Sequence, residues 1–131
     1  MIHEPIFTGA ATALITPFDG GKIDFAAFEK LIDYQIENGI SALVVCGTTG
    51  EVPTLSENEQ TELIRTAVSV CAGRTPVIAG AGGNCTAKVC ALAENAAENG
   101  ADGILCITPY YNKGTRPDCA YRRAGRGMPP R

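Results

Sequence analysis

Apolar residues recur along this chain in two rhythms. Four short stretches, 9–15, 42–46, 76–80 and 103–108, are apolar on nearly consecutive positions and rich in Ala, Val, Ile and Leu. Such runs suit strands of a parallel sheet covered on both faces, where a half-wet sheet would alternate. Between them the apolar positions shift to helical spacing. Phe25, Phe28, Leu31, Ile32 and Ile36 share one helix face, with Asp24 placed to cap its start and Gly39 to follow its end. Ser56 and Glu59 have capping-box spacing ahead of Leu63, Ile64, Ala67, Val70 and Cys71. Thr86 is placed to cap a third, Ala-rich helix that carries Val89, Leu92, Ala93 and Ala96 and closes at Gly100.

The predicted order is β-α-β-α-β-α-β at roughly 30 residues per unit, as parallel βαβ units require. The chain is therefore α/β. By pattern alone two architectures fit it, a doubly wound open sheet or part of a (β/α)8 barrel.

The pattern stops after Lys113. Residues 114–131 contain five Arg, three Pro and three Gly with no apolar period. Charge divides at the same place. Residues 1–113 hold 6 Lys and Arg against 13 Asp and Glu, whereas 114–131 hold five Arg against the single Asp118. A net charge of -3 thus conceals an acidic body and an irregular basic tail. The tail reads either as a surface for an anionic partner or as sequence entered by a frameshift. The break falls in mid-loop, which favours the frameshift.

Composition narrows the function classes. With 45% hydrophobic and 19% charged residues the chain is globular in type. An acidic body argues against nucleic acid as a partner, because phosphate binding needs a cationic surface. No apolar run approaches the roughly 18 residues of a membrane span. Residues 1–5 lack the basic-then-apolar pattern of a secretory leader, so a cytoplasmic location is expected. The six cysteines form no CxxC pair and the single His is His3, so free thiols are expected and a metal site is not.

Four motifs could carry chemistry, each beside a plainer explanation. Gly47-Thr48-Thr49-Gly50-Glu51 follows the second strand; two hydroxyls and freed N–H groups there suit a small carboxylate, or simply fill a βα turn. Thr108-Pro109-Tyr110-Tyr111-Asn112 follows the fourth strand, where tyrosines relay protons or pack at an interface. Residues 80–86, GAGGNCT, look like a phosphate-binding turn, but Cys85 stands at the third glycine position of GxGxxG, so glycines packing a tight turn fit better. Thr16-Pro17-Phe18 reads chiefly as a proline ending the first strand.

Taken together, Ala-Leu-Ile-Thr-Pro-Phe (13–18), Gly-Thr-Thr-Gly-Glu (47–51) with Thr54, Leu55, Ser56 and Glu59, Pro-Val-Ile-Ala-Gly (76–80) with Gly82 and Asn84, and Thr-Pro-Tyr-Tyr-Asn-Lys (108–113) occur in an order and spacing that resemble the dihydrodipicolinate synthases. These belong to the class I pyruvate aldolase superfamily. The resemblance covers residues 6–113, the span expected to form a domain of four βα units, incomplete as a TIM (β/α)8 barrel, ahead of the tail 114–131. Each motif is weak alone and the ordered set is specific. Thr-Thr and Tyr-Tyr-Asn favour the synthase over the N-acetylneuraminate lyase branch.

The resemblance implies a carbon–oxygen lyase without a cofactor. It would condense pyruvate with aspartate semialdehyde, for lysine and diaminopimelate biosynthesis, in a homotetramer. A lysine forms a Schiff base with pyruvate, and the derived enamine attacks the aldehyde. By motif, Thr48 would be a catalytic relay residue beside pyruvate, with Thr48 and Thr49 binding its carboxylate. Tyr111 would be the relay tyrosine inserted into a neighbouring subunit's site, with Tyr110 packing at that interface.

The family's Schiff-base lysine lies on the sixth barrel strand, and none of Lys22, Lys30, Lys88 or Lys113 matches it. The chain alone is therefore expected to be inactive. With two sheet edges and one face uncovered, it is also expected to be unstable, to aggregate or to pair with another half. The alternatives are a fragment of another pyruvate-dependent aldolase and a non-catalytic partner of a full-length synthase.

Overall fold

A computed structural model describes residues 4–111 of the 131. Asn112, Lys113, Cys119, Tyr121 and the tail 114–131 lie outside the described residues. The elements run β1 (Ala11–Ala13), β2 (Phe18–Asp19), β3 (Lys22–Ile23), α1 (Phe25–Glu37), β4 (Ala42–Val45), α2 (Glu57–Cys71), β5 (Val77–Gly80), α3 (Thr86–Glu98) and β6 (Gly103–Leu105). The main sheet is parallel throughout, in the order β1-β4-β5-β6.

Register and burial separate the two faces of this sheet. Val44 lies beside Ala13 on one side and Ile78 on the other, and Ile78 lies beside Gly103. On the opposite face Leu43 lies beside Val77, and Val45 beside Ala79. This second face packs with Phe28 and Ile32 of α1 and with Leu63, Ile64 and Ala67 of α2 into one buried core. Val89 and Ala93 of α3 continue it towards Ile104. The three helices of the described residues therefore cover a single face. A doubly wound sheet would carry helices on both, so the barrel architecture is the one adopted.

Local chemistry explains the helix boundaries. The Asp24 carboxylate accepts from the Ala27 N–H at 2.9 Å and caps α1, which ends at Asn38 ahead of Gly39 (φ 82°). Both halves of the Ser56–Glu59 capping box are formed. The expectation for α3 needs correction. Its N-cap is Cys85, without a side-chain cap bond, and Thr86 is the first helical residue.

The strands are shorter than the apolar runs suggested. In β1 the ladder is confined to Ala11–Ala13, and Ile15 stands 54% exposed beyond it. Cys46 leaves the β4 ladder with φ 56°, and β6 stops at Leu105. A feature absent from the predicted order is the hairpin of β2 and β3, which pairs Phe18 with Ile23 and places Lys22 in a strand. Gly20 and Gly21 both have positive φ, as a two-residue primed turn requires. This Gly-Gly pair was a legible hairpin signal. The five described cysteines are free thiols; Cys46 and Cys71 are buried, Cys106 is only partly so and Cys85 is exposed. No helix among the described residues is long and apolar enough to cross a membrane.

Candidate active site

In a parallel βα sheet the loops that leave the strand C-termini share one rim, where such folds place chemistry. All four singled-out motifs lie on it, after β1, β4, β5 and β6. The Gly47–Glu51 segment is the most constrained. Thr48–Gly50 form a 3-10 turn in which the Gly50 N–H bonds to the Gly47 carbonyl and the Glu51 N–H to the Thr48 carbonyl, each at 3.0 Å. Glu51 adopts a left-handed conformation (φ 56°, ψ 31°) and starts a second turn over Val52–Thr54. The Thr54 hydroxyl donates to the Glu51 carbonyl at 2.8 Å. Thr48 and Thr49 are exposed on the rim, whereas Gly50 is buried beneath them.

The burial of Gly50 follows from contact with β1. Thr16, itself only 5% exposed, donates its hydroxyl to the Gly50 carbonyl at 2.8 Å. A Cβ on Gly50 would stand 3.3 Å from both the Leu14 carbonyl oxygen and the Thr16 hydroxyl, so the turn and the end of β1 are in tight contact. On the other side a Cβ on Gly80 would overlap the Cys46 carbonyl. The turn is thus held between the ends of β1 and β5. The strand-terminator role expected for Thr16 does not include this anchoring. A polar residue just before Pro17, in an otherwise apolar run, was the available signal.

The Cys46 thiol lies within this anchor. Burial raises its pKa to about 12, and it points to the Gln60 carbonyl at 3.7 Å. It is a small buried hydrophobe at neutral pH and no nucleophile.

Tyr110 and Tyr111 follow β6, with ring centroids 6.3 Å apart and planes at 82°. Tyr110 is half-exposed; Tyr111 is 99% exposed and left-handed at φ 61°. The threonine and tyrosine pairs share a rim but leave strands separated by β5. The glycine turn 80–86 behaves as a packing turn. Gly80 makes room for the Cys46 carbonyl, Gly82 for the Ile107 side chain, and Gly83 lies in ordinary contact distance of Val89. Lys30 and Lys88 lie within helices and Lys22 in the hairpin. None of the three ends a strand of the main sheet. No group of three or more metal-ligating side chains occurs among the described residues.

Parallel strands in sequential order, helices on one face and a polar rim define part of a (β/α)8 barrel. Comparison with known proteins agrees. A model of the Dihydrodipicolinate synthetase family matches residues 6–122. The 4-hydroxy-tetrahydrodipicolinate synthase of Alkaliphilus oremlandii is 55% identical over 111 residues, which are 85% of this chain and 38% of that protein. A crystal structure of a dihydrodipicolinate synthase superposes with a TM-score of 0.90 at 44% identity, over 93% of this chain and 43% of the other. The chloride-inhibited dihydrodipicolinate synthase of Acinetobacter baumannii, complexed with pyruvate, superposes with a TM-score of 0.87 at 38% identity, over 92% and 42%.

This chain belongs to the dihydrodipicolinate synthetase family. Its match spans only 38% of the length of its curated relatives.

Proposed function

We propose that this chain carries the pyruvate-carboxylate portion of a dihydrodipicolinate synthase site, without the group that makes it an enzyme. Support comes chiefly from one observation: the Gly47–Glu51 turn is anchored by Thr16 to the end of β1 while Thr48 and Thr49 stay exposed on the rim. A fixed backbone with two adjacent hydroxyls gives a carboxylate preorganised donors, which cost little to order on binding. In this reading the Thr49 hydroxyl donates to the pyruvate carboxylate. Thr48 both binds pyruvate and passes a proton along a relay whose next member is Tyr111. The exposure of Tyr111 suits a side chain that completes a neighbouring subunit's site. The condensation of pyruvate with aspartate semialdehyde is the reaction this site serves in the whole enzyme.

Chain 1–131 alone does not catalyse that condensation in this reading. Enamine formation needs an amine at the pyruvate carbonyl. None of Lys22, Lys30 and Lys88 ends a strand of the main sheet, and Lys113 does not match the family's lysine motif.

Two measurements test the proposal. Pyruvate added to the isotope-labelled chain should shift the amide resonances of Thr48 and Thr49, and Thr49→Val should abolish the response. Borohydride reduction with pyruvate should leave all four lysines unmodified by mass spectrometry, with no condensation in a coupled assay. A pyruvate adduct on any lysine, or turnover, overturns the inactivity. Unchanged Thr48 and Thr49 resonances overturn the binding assignment.

A further inference from the structure

The two faces of the main sheet are unequal. Leu43, Val45, Val77 and Ala79 on the helix side are at most 1% exposed. On the other side Ile15, Leu105 and Ile107 are 54%, 48% and 44% exposed. Every residue on that face, from 11 to 15 in β1 to 103 to 107 in β6, is Gly, Ala, Val, Ile or Leu. An uncharged, uninterrupted apolar face of this kind is a surface meant to be covered. β1 and β6 are the two outer strands of the sheet. Among the described residues no strand pairs with their outer edges, and native sheets pair or block such rows of backbone groups.

Geometry selects the cover. The sheet superposes on part of a closed barrel with a TM-score of 0.90, so it already has the curvature and stagger of a barrel wall. The described residues supply four strands in the main sheet, half of the eight that close a (β/α)8 barrel. We infer that two copies of this chain associate about a twofold axis along the barrel axis, closing one eight-stranded parallel barrel. β6 of each copy then lies beside β1 of the other, and all four edges are paired by the same contact made twice. Both sides of the seam are apolar: β6 offers Gly103, Leu105 and Ile107, and β1 offers Ala11, Ala13 and Ile15. The contacting face bears no charge, so the acidic bodies stay on the outer, helix-covered side. The rim of such a barrel holds two Thr48–Thr49 turns facing each other across its mouth.

Sedimentation velocity of the purified chain over a range of concentrations, combined with amide exchange, tests this. The Leu14 N–H bonds to the Val44 carbonyl inside the sheet, so the neighbouring Ala13 N–H points to the open edge. The chain should sediment as a dimer, with the Ala13 amide protected at high concentration and exposed on dilution. Leu105→Asp should weaken association more than tenfold (at least about 1.4 kcal/mol), while Tyr34→Ser, on the exposed side of α1, should leave it unchanged. If Leu105→Asp fails to fold, the concentration dependence of Ala13 exchange in the unaltered chain decides. A folded monomer, an unbounded aggregate, or a dimer in which Ala13 stays exposed overturns the inference. So does a chain that becomes soluble only with a separately supplied second half of a barrel.

Discussion

The hydroxyl of Thr16 donates to the carbonyl oxygen of Gly50 across 34 residues of sequence, at 2.8 Å and away from solvent. This single bond ties the end of the first strand to the turn that presents Thr48 and Thr49. Removing the hydroxyl strands a buried carbonyl. Thr16→Val should therefore lower stability by about 1–3 kcal/mol in urea denaturation at fixed protein concentration. Thr16→Ser, which keeps the donor, should lose less. A Val variant as stable as the parent would show that the bond contributes nothing to the anchor.

Gly80 is required by what it faces. Its absent Cβ leaves room for the Cys46 carbonyl, a backbone atom that has no rotamer by which to withdraw. Gly80→Ala should cost at least the roughly 1–3 kcal/mol typical of overpacking. Gly83→Ala, which meets only the Val89 side chain at 3.4 Å, should cost less. Thermal melts of the two variants compared side by side check the order.

The start of α2 has a pH signature. Glu59 accepts hydrogen bonds from the Ser56 N–H at 2.8 Å and from the Ser56 hydroxyl at 2.7 Å, which together lower its pKa below 4.5. Because the folded value lies below the unfolded one, the stabilisation is present above about pH 4.5 and fades as the pH falls through the folded value. Ser56→Ala should cost about 1 kcal/mol at neutral pH. It should also flatten the fall of stability below pH 4.5. Denaturation curves at pH 3, 4 and 6 distinguish this from a cap that acts independently of Glu59 charge.

Thiol chemistry should follow burial. Cys85 is exposed, while Cys46 and Cys71 are enclosed, and burial raises the pKa of both. Among the described cysteines, iodoacetamide at pH 8 should label Cys85 first and leave Cys46 and Cys71 until the chain unfolds, as read by peptide mass spectrometry. For Cys46 the folded value of about 12 exceeds the ordinary 9.0. Below pH 9 both states hold the proton and there is no effect. Between about 9 and 12 only the unfolded thiol ionises, so stability falls with rising pH. Cys46→Ala should reduce that slope.

Much of this molecule was legible in the chain. Apolar runs and helical spacing gave the strand–helix alternation, because each element must bury a face whose period is its own. Asp24, Ser56 and Glu59 marked helix starts because capping is local chemistry. The ordered motifs gave the family. Three things were decided only in three dimensions. Which face the helices cover, and hence barrel over doubly wound sheet, depends on how successive units pack, and both foldings share one sequence pattern. The strand ends are set by where the ladder runs out, so Ile15 and Cys46 fall outside strands that hydrophobicity alone would extend. The role of Thr16 arises from a partner 34 positions away. Local sequence specifies elements through short-range sterics and hydrogen bonding, whereas a site assembled from the ends of separate strands exists only once those strands lie side by side.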